Sequence, residues 1–160
     1  MSKKIESEKS YGLRRFVNKI LQALAKSSLL SGYMRSRLQK LRGVNFDDVS
    51  TVFFGEDVIV DGICPENVTI KNGCQIGAGT KIVTHFYDNN KLSDNKDYYF
   101  RFYQGKVLIE EDVFIGFNCV IAKPVTIGKN SVLGANTVIT KDVPPNSIIV
   151  LPESINLKKV

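Results

Sequence analysis

The stretch IEEDVFIGFNCVIAKPVTIGKNSVLGANTVITKDVPPNS, residues 109–147, decides the fold. Counting every sixth position from Ile109 gives Ile115, Ile121, Ile127, Leu133 and Ile139. An amphipathic helix repeats its apolar face at i, i+3 and i+4, and a half-buried strand alternates. A sixfold period is neither; it marks a hexapeptide repeat, an internal period that sets the whole architecture. Glycine follows the anchor at Gly116, Gly128 and Gly134. Four positions after each anchor stands a small or β-branched residue: Cys119, Val125, Ser131, Thr137 and Val143. Each hexad therefore reads as a short strand with one large and one small inward side chain, then a corner. Three strands make a triangular coil of about eighteen residues, and coils stack at the ordinary inter-strand spacing of roughly 4.8 Å. Ile109 then stacks on Ile127, Ile115 on Leu133 and Ile121 on Ile139. Neighbouring coils bury each anchor, which is how a solenoid builds a continuous core.

Working backward from Ile82, the same period gives Ile76, Ile70, Cys64, Val58 and Val52. Ile109 stands 27 positions after Ile82, where a step of six would continue the coil. About 21 residues, roughly 86–106, therefore leave the prism as an excursion loop. They are polar with interspersed aromatics, and a long loop in a compact domain is usually functional. Cys64 falls in an anchor slot, and Cys74 and Cys119 in small inward slots, where a free thiol behaves as a small hydrophobe. The three cysteines are not spaced as a disulfide framework or a zinc ribbon.

Charge divides the chain. Residues 1–43 carry eleven Lys/Arg against two Glu, and residues 44–160 eleven against fourteen Asp/Glu. From Leu13 the apolar positions Phe16, Val17, Ile20, Leu21 and Leu24 follow helix spacing, with Arg14, Arg15, Asn18, Lys19 and Gln22 on the other face. Ser31-Gly32 interrupts, and a second basic helix is expected over about 33–42, with Met34, Leu38 and Leu41 on one side. Two placements are open: a cap whose apolar face covers the end of the solenoid, or a basic amphipathic anchor at a membrane surface. No nucleic-acid motif accompanies the basic segment. No apolar run approaches a membrane span, and no secretory leader pattern is present, so a cytoplasmic location is expected, with a peripheral position at the inner face of the membrane as the option the basic segment adds. The domain expectation is a basic helical segment over 1–43, a β-helix over 44–147 with the inserted loop, and a tail over 148–160.

The ordered motifs DVFIG, PVTIGKNSVLGA and VITKDVPPNS, continued upstream by KNGCQIGAGTKIVTH at 71–85, resemble the hexapeptide-repeat acyltransferases. Within that family the resemblance is nearest to the galactoside, maltose and polysaccharide O-acetyltransferases. It implies a mainly β fold, a left-handed parallel β-helix, and a homotrimer with a site at each groove between neighbouring prisms. It implies acetyl coenzyme A as donor substrate, no metal, and a sugar or glycan acceptor. His85, the only histidine, matches the family's catalytic base just before the loop. For the donor it implies Phe114 beside the pantetheine arm, Gly116, Gly134 and Ala135 where the arm nears the backbone, and Thr140 and Lys141 toward its far end. Phe114 equally suits an outward aromatic in a trimer contact, and the glycines equally suit coil corners. Asp61 stands where relatives often carry an asparagine near the acceptor, and Asp88 lies close to His85 in sequence. In the loop, Tyr98, Tyr99, Arg101 and Tyr103 suit either a sugar or loop packing.

Transfer of acetyl from a thioester to a hydroxyl needs a base for the hydroxyl proton, and an unperturbed imidazole titrates near ~6.5, close to working pH. The acyl group is already activated, so direct attack suffices. A three-histidine zinc site shared across subunits, as in prism-fold carbonic anhydrases, cannot be built from one histidine position. The expected function is O-acetylation of a sugar, polysaccharide or glycolipid hydroxyl. The alternatives are N-acetylation of an amino sugar or xenobiotic, and a non-catalytic trimeric scaffold. A scaffold would require the hexads but not the histidine.

Overall fold

The computed structural model describes residues 12–87 and 102–151. Two helices, α1 (Leu13–Ala25) and α2 (Gly32–Arg42), precede a left-handed parallel β-helix. Its coils run β1 (Asn45–Phe46), β2 (Phe53–Phe54), β3 (Ile59–Val60); β4 (Val68–Ile70), β5 (Gln75–Ile76), β6 (Lys81–Ile82); then β9 (Val107–Ile109), β10 (Phe114–Ile115), β11 (Val120–Ile121); and β12 (Val125–Ile127), β13 (Val132–Leu133), β14 (Val138–Ile139). A last strand, β15 (Ile148–Ile149), closes the stack. Between β6 and β9 the chain leaves as an antiparallel ribbon of β7 (His85–Tyr87) and β8 (Phe102–Gln104).

The prism has three parallel faces. Face A is β1-β4-β9-β12, face B is β2-β5-β10-β13-β15, and face C is β3-β6-β11-β14. The register realises the hexad reading: Ile109 lies opposite Ile127, Ile115 opposite Leu133 and Ile121 opposite Ile139. All but Ile139 of these anchors are fully buried, and Ile139 is nearly so. The small slots hold Cys74, Thr80, Cys119, Ser131 and Thr137, all buried. Their polar atoms are bonded: the Thr80 hydroxyl donates to Gly116 O, and the Ser131 hydroxyl to Pro144 O. That satisfaction lets polar groups sit in the core without a desolvation penalty.

Upstream, the sixfold count needs correction. Val52, Val58 and Cys64 are buried as expected, but they are not the anchors. Phe54 pairs with Ile76 and Val60 with Ile82, so that coil has 22 residues. A 3-10 turn at Pro65–Asn67 takes up the extra length at a corner. Val52 and Val58 instead continue the small-slot column of Cys74 and Thr80, as the bonds Phe53 N–H to Cys74 O and Ile59 N–H to Thr80 O require.

The helices cap the open end of the stack, though not with their apolar faces. Each coil donates its N–H groups to carbonyls of the next, so the first coil's own carbonyls have no coil to serve them. Helix side chains donate instead. Ser36 Oγ bonds Val52 O at 2.5 Å, Arg35 Nη1 bonds Phe54 O at 2.8 Å, and Gln22 Nε2 bonds Val58 O at 2.9 Å. Arg42 Nη2 reaches Val60 O at 3.1 Å and Asp61 O at 3.2 Å. Leaving five buried carbonyls bare would cost about 1–3 kcal/mol each. Polar cap residues Arg35, Ser36, Gln39 and Arg42 are therefore buried, while Leu13, Phe16, Ile20 and Leu24 stay exposed. Ser31, at the expected helix break, N-caps α2 by accepting from Met34 N–H, and Gly43 ends α2 with φ 115°.

Candidate functional site

Residues 83–85 form the corner where face C turns toward face A, and the ribbon leaves the prism there. Gly105 N–H bonds Thr84 O at 2.9 Å and ties the ribbon base to that corner. The strand before it, β6, lies beside β3, which brings Asp61 under the corner. His85 Nδ1 lies 2.6 Å from Asp61 Oδ2. The Asp61 side chain has no exposed surface, and the His85 side chain is 34% exposed.

Asp61 is held from every side. Oδ2 accepts from Thr84 N–H at 2.8 Å, from the Thr84 hydroxyl at 2.8 Å and from His85 N–H at 3.1 Å. Oδ1 accepts from Ile63 N–H at 2.7 Å and Cys64 N–H at 3.4 Å. Burial pushes this carboxyl up, but the Ile63 and Thr84 amides, the His85 ring and the Thr84 hydroxyl outweigh it and hold it below the usual carboxylate range. An ionised carboxylate only accepts, so Nδ1 carries the hydrogen and Nε2 is the basic nitrogen of the neutral ring. The pair is a carboxylate–imidazole dyad with the acid enclosed and the ring at the surface. Arg42 stands behind it, favouring the Asp61 anion, while burial pulls the guanidinium down to about 10.

This corrects the expectation for Asp61. A carboxylate with no exposed surface and both oxygens engaged cannot contact an acceptor; it orients His85. Asp88 lies outside the described residues, as do Tyr98, Tyr99 and Arg101. Tyr103 is described: its ring stacks on Phe86 at 5.4 Å, and Lys123 Nζ sits 6.0 Å from the Phe86 centroid. Phe86 is 8% exposed and packs the ribbon against the prism, and Tyr103, its cross-strand partner, covers it within the ribbon.

Phe114 points outward from face B, between Gln75 and Val132. The outward column on that face runs Phe53, Gln75, Phe114, Val132 and Ile148, exposed and apolar but for Gln75. Gly116, Gly134 and Ala135 follow at the corner from face B to face C. A Cβ on Gly116 would fall 2.6 Å from Ala135 N, so coil stacking alone requires a glycine there. Thr140 and Lys141 are exposed at the face C to face A corner, in the same column as Val83, which aligns with Ala122 and Thr140 through β11 and β14. The chain therefore brings His85, Thr140 and Lys141 to one edge of face C, and Gly116, Gly134 and Ala135 to the opposite edge, with Phe114 beside them on face B. The two groups do not converge within a single chain.

Residues not singled out from sequence include Thr84, which locks Asp61, and Arg42, which backs it. Burial raises the Cys64 and Cys74 thiols to about 11, away from the range of a reactive thiolate. Among the described residues no group of three or more His, Cys, Asp or Glu could hold a metal ion.

Comparison with known proteins adds the following. Residues 106–141 match the family described as hexapeptide repeat of succinyl-transferase. The bifunctional protein GlmU of Geotalea daltonii is 37% identical over 84 residues, covering 52% of this chain but 15% of that protein, so the chain spans a small part of such relatives. A hexapeptide-repeat acetyltransferase from Vibrio cholerae, solved in complex with acetyl coenzyme A, superposes with a TM-score of 0.59 at 26% identity, over 84% of this chain and 80% of that one. A maltose O-acetyltransferase from Clostridium difficile shares the fold with a TM-score of 0.54 at 23% identity, over 84% and 80%.

Proposed function

We propose that this chain, whose left-handed β-helix is shared with a hexapeptide-repeat acetyltransferase solved with acetyl coenzyme A, moves an acetyl group from acetyl coenzyme A to a hydroxyl of a sugar or glycan. The observation that carries this reading is the Asp61–His85 dyad at the root of the ribbon. A scaffold has no use for a buried carboxylate spent on orienting a surface imidazole.

His85 Nε2 takes the acceptor hydroxyl proton as the oxygen forms its bond to the thioester carbonyl carbon. When the carbon–sulfur bond breaks, the same nitrogen returns the proton to the departing sulfur, so protons balance within one turnover. Asp61 stays ionised, fixes the tautomer and stabilises the ring while it carries the extra proton. Held in place before reaction, the base needs no reorganisation at the moment of transfer.

Phe114, Gly116, Gly134, Ala135, Thr140 and Lys141 are the positions proposed to hold the donor. The apolar outward column on face B and the narrow glycine corner beside it suit a pantetheine arm, and Lys141 offers a cation at an exposed corner. Because these residues flank opposite edges of face C, a neighbouring protomer must supply one edge to the other. A homotrimer with intersubunit sites follows from this reading. A cytoplasmic location also belongs to it, consistent with three buried free thiols.

The test measures thiol release from acetyl coenzyme A over a panel of sugars and amino sugars, for the wild type and His85→Ala, with donor binding by calorimetry. Donor binding with turnover on hydroxyl sugars, lost in His85→Ala, is expected. Faster turnover on an amino sugar than on its hydroxyl analogue would shift the reading to N-transfer. Absence of donor binding would leave a scaffold.

A further inference from the structure

The capping arrangement leaves α1 with an apolar stripe that stays largely exposed. Leu13 is 79% exposed, Phe16 63%, Ile20 45% and Leu24 49%. The opposite side of the helix faces inward: Ala25 is buried, and Gln22 bonds Val58 O. At the end of the stripe an apolar recess of about 330 Å³ opens between the helices, lined by Leu24, Leu30, Met34 and Leu38 with Arg37 at its side. Leu29, 92% exposed, follows in the α1–α2 turn.

Charge says what would cover this face. Residues 12–43 contain eight Lys/Arg and no Asp or Glu. Arg35 and Arg42 are buried in the cap, and Lys26 and Arg35 pair with Asp57 and Glu56. Exposed Arg14 and Lys19 remain on α1, and at 100° per residue they flank the apolar stripe on its two sides. Arg37 adds a third exposed cation beside the recess. A helix with an apolar stripe, cationic shoulders and an anchored back lies flat in a lipid interface, its long basic side chains reaching up to the headgroups. No helix among the described residues is long and apolar enough to cross a membrane.

We infer that the exposed face of α1, with the recess beside it, docks the protein on an anionic lipid surface. A second copy of the chain suits the same face less well. Symmetric contact between two such segments would oppose cations without an intervening acid, whereas an anionic leaflet attracts each exposed Lys or Arg. The inference does not depend on the acetyl-transfer reading, since none of these residues belongs to the proposed site.

The test is co-sedimentation of the full chain with phosphatidylcholine vesicles, with and without phosphatidylglycerol. Wild type is expected to sediment with the mixed vesicles only. Phe16→Ser with Ile20→Ser, and separately Arg14→Glu with Lys19→Glu, should each weaken that binding at least ~tenfold. Thermal melts of both variants, and acetyl transfer to a soluble acceptor, should match wild type. Equal sedimentation of wild type and both variants, or none for wild type, overturns the inference. A drop in oligomer mass by light scattering for the Phe16/Ile20 variant also overturns it, in favour of a second copy.

Discussion

The Asp61 carboxylate meets the His85 ring at 2.6 Å although the two are 24 positions apart. Strands β3 and β6 are lateral neighbours, Val60 lies opposite Ile82, and both chains then turn at the same prism corner. A rigid ladder thus sets the spacing of the dyad, and the ribbon that begins at His85 stands over it.

His85→Ala should lower kcat by about 10²- to 10⁴-fold, the usual contribution of a positioned general base. The KM for the donor should stay within about twofold, because the ring acts on the acceptor proton. Melting temperature should fall modestly, because the buried Asp61 carboxylate loses the ring hydrogen bond while its Thr84 and Ile63 donors remain. Steady-state kinetics with circular dichroism check this.

Asp61→Asn should do two things. An amide nitrogen would face amide donors from Ile63 or Thr84 that now bond a carboxylate, at a cost of about 1–3 kcal/mol in denaturant melts. It should also lower kcat with donor KM unchanged. The losses from Asp61→Asn and His85→Ala should not add in the double variant, because Asp61 acts only through the ring. Full additivity would remove Asp61 from the dyad.

The pH dependence of stability has a defined sign. Asp61 is depressed in the folded state, so its contribution is fully present above the ordinary unfolded carboxylate value of ~3.9. The contribution is lost as pH falls through the lower folded value. The stability gap between wild type and Asp61→Asn should be constant from neutral pH to about 4 and narrow below it. Urea melts across that range test it.

Arg42→Met should destabilise by about 2–6 kcal/mol, because two buried carbonyls, Val60 O and Asp61 O, lose their donor at about 1–3 kcal/mol each. Lys26→Ala, which breaks the exposed pair with Asp57 at 2.9 Å, should cost less than about 1 kcal/mol. The contrast in urea melts tests whether the helices hold the stack through its orphan carbonyls.

Gly77→Ala and Gly116→Ala should disrupt folding, since the new Cβ would lie 2.5 Å and 2.6 Å from backbone atoms of the next coil. Gly134→Ala is milder: its nearest neighbours, Ile149 O and Val150 Cγ1, are 3.2 Å away. That variant should fold, and a raised donor KM in it would mark the corner as part of the donor site. Expression yield, melting and kinetics separate the two effects.

By itself the sequence determined the stacking frame of the C-terminal coils, the excursion after Ile82 and the placement of His85 at its root. Each is written in a local period, since the alternation of inward anchor and outward residue repeats with the backbone geometry of every strand. Corner length has no such period. The turn at Pro65–Asn67 lengthens one coil to 22 residues and slides Asp61, instead of a residue four positions later, under the histidine corner. The direction in which α1 faces was likewise hidden. An apolar stripe is legible in a sequence, but the carbonyls of Val52, Phe54, Val58 and Val60 exist as unmet acceptors only once the coil has closed, and they drew the polar side chains inward. The tertiary structure alone decided both the partner of the catalytic candidate and the outward face of the helix, because both depend on backbone groups that only coil closure brings together.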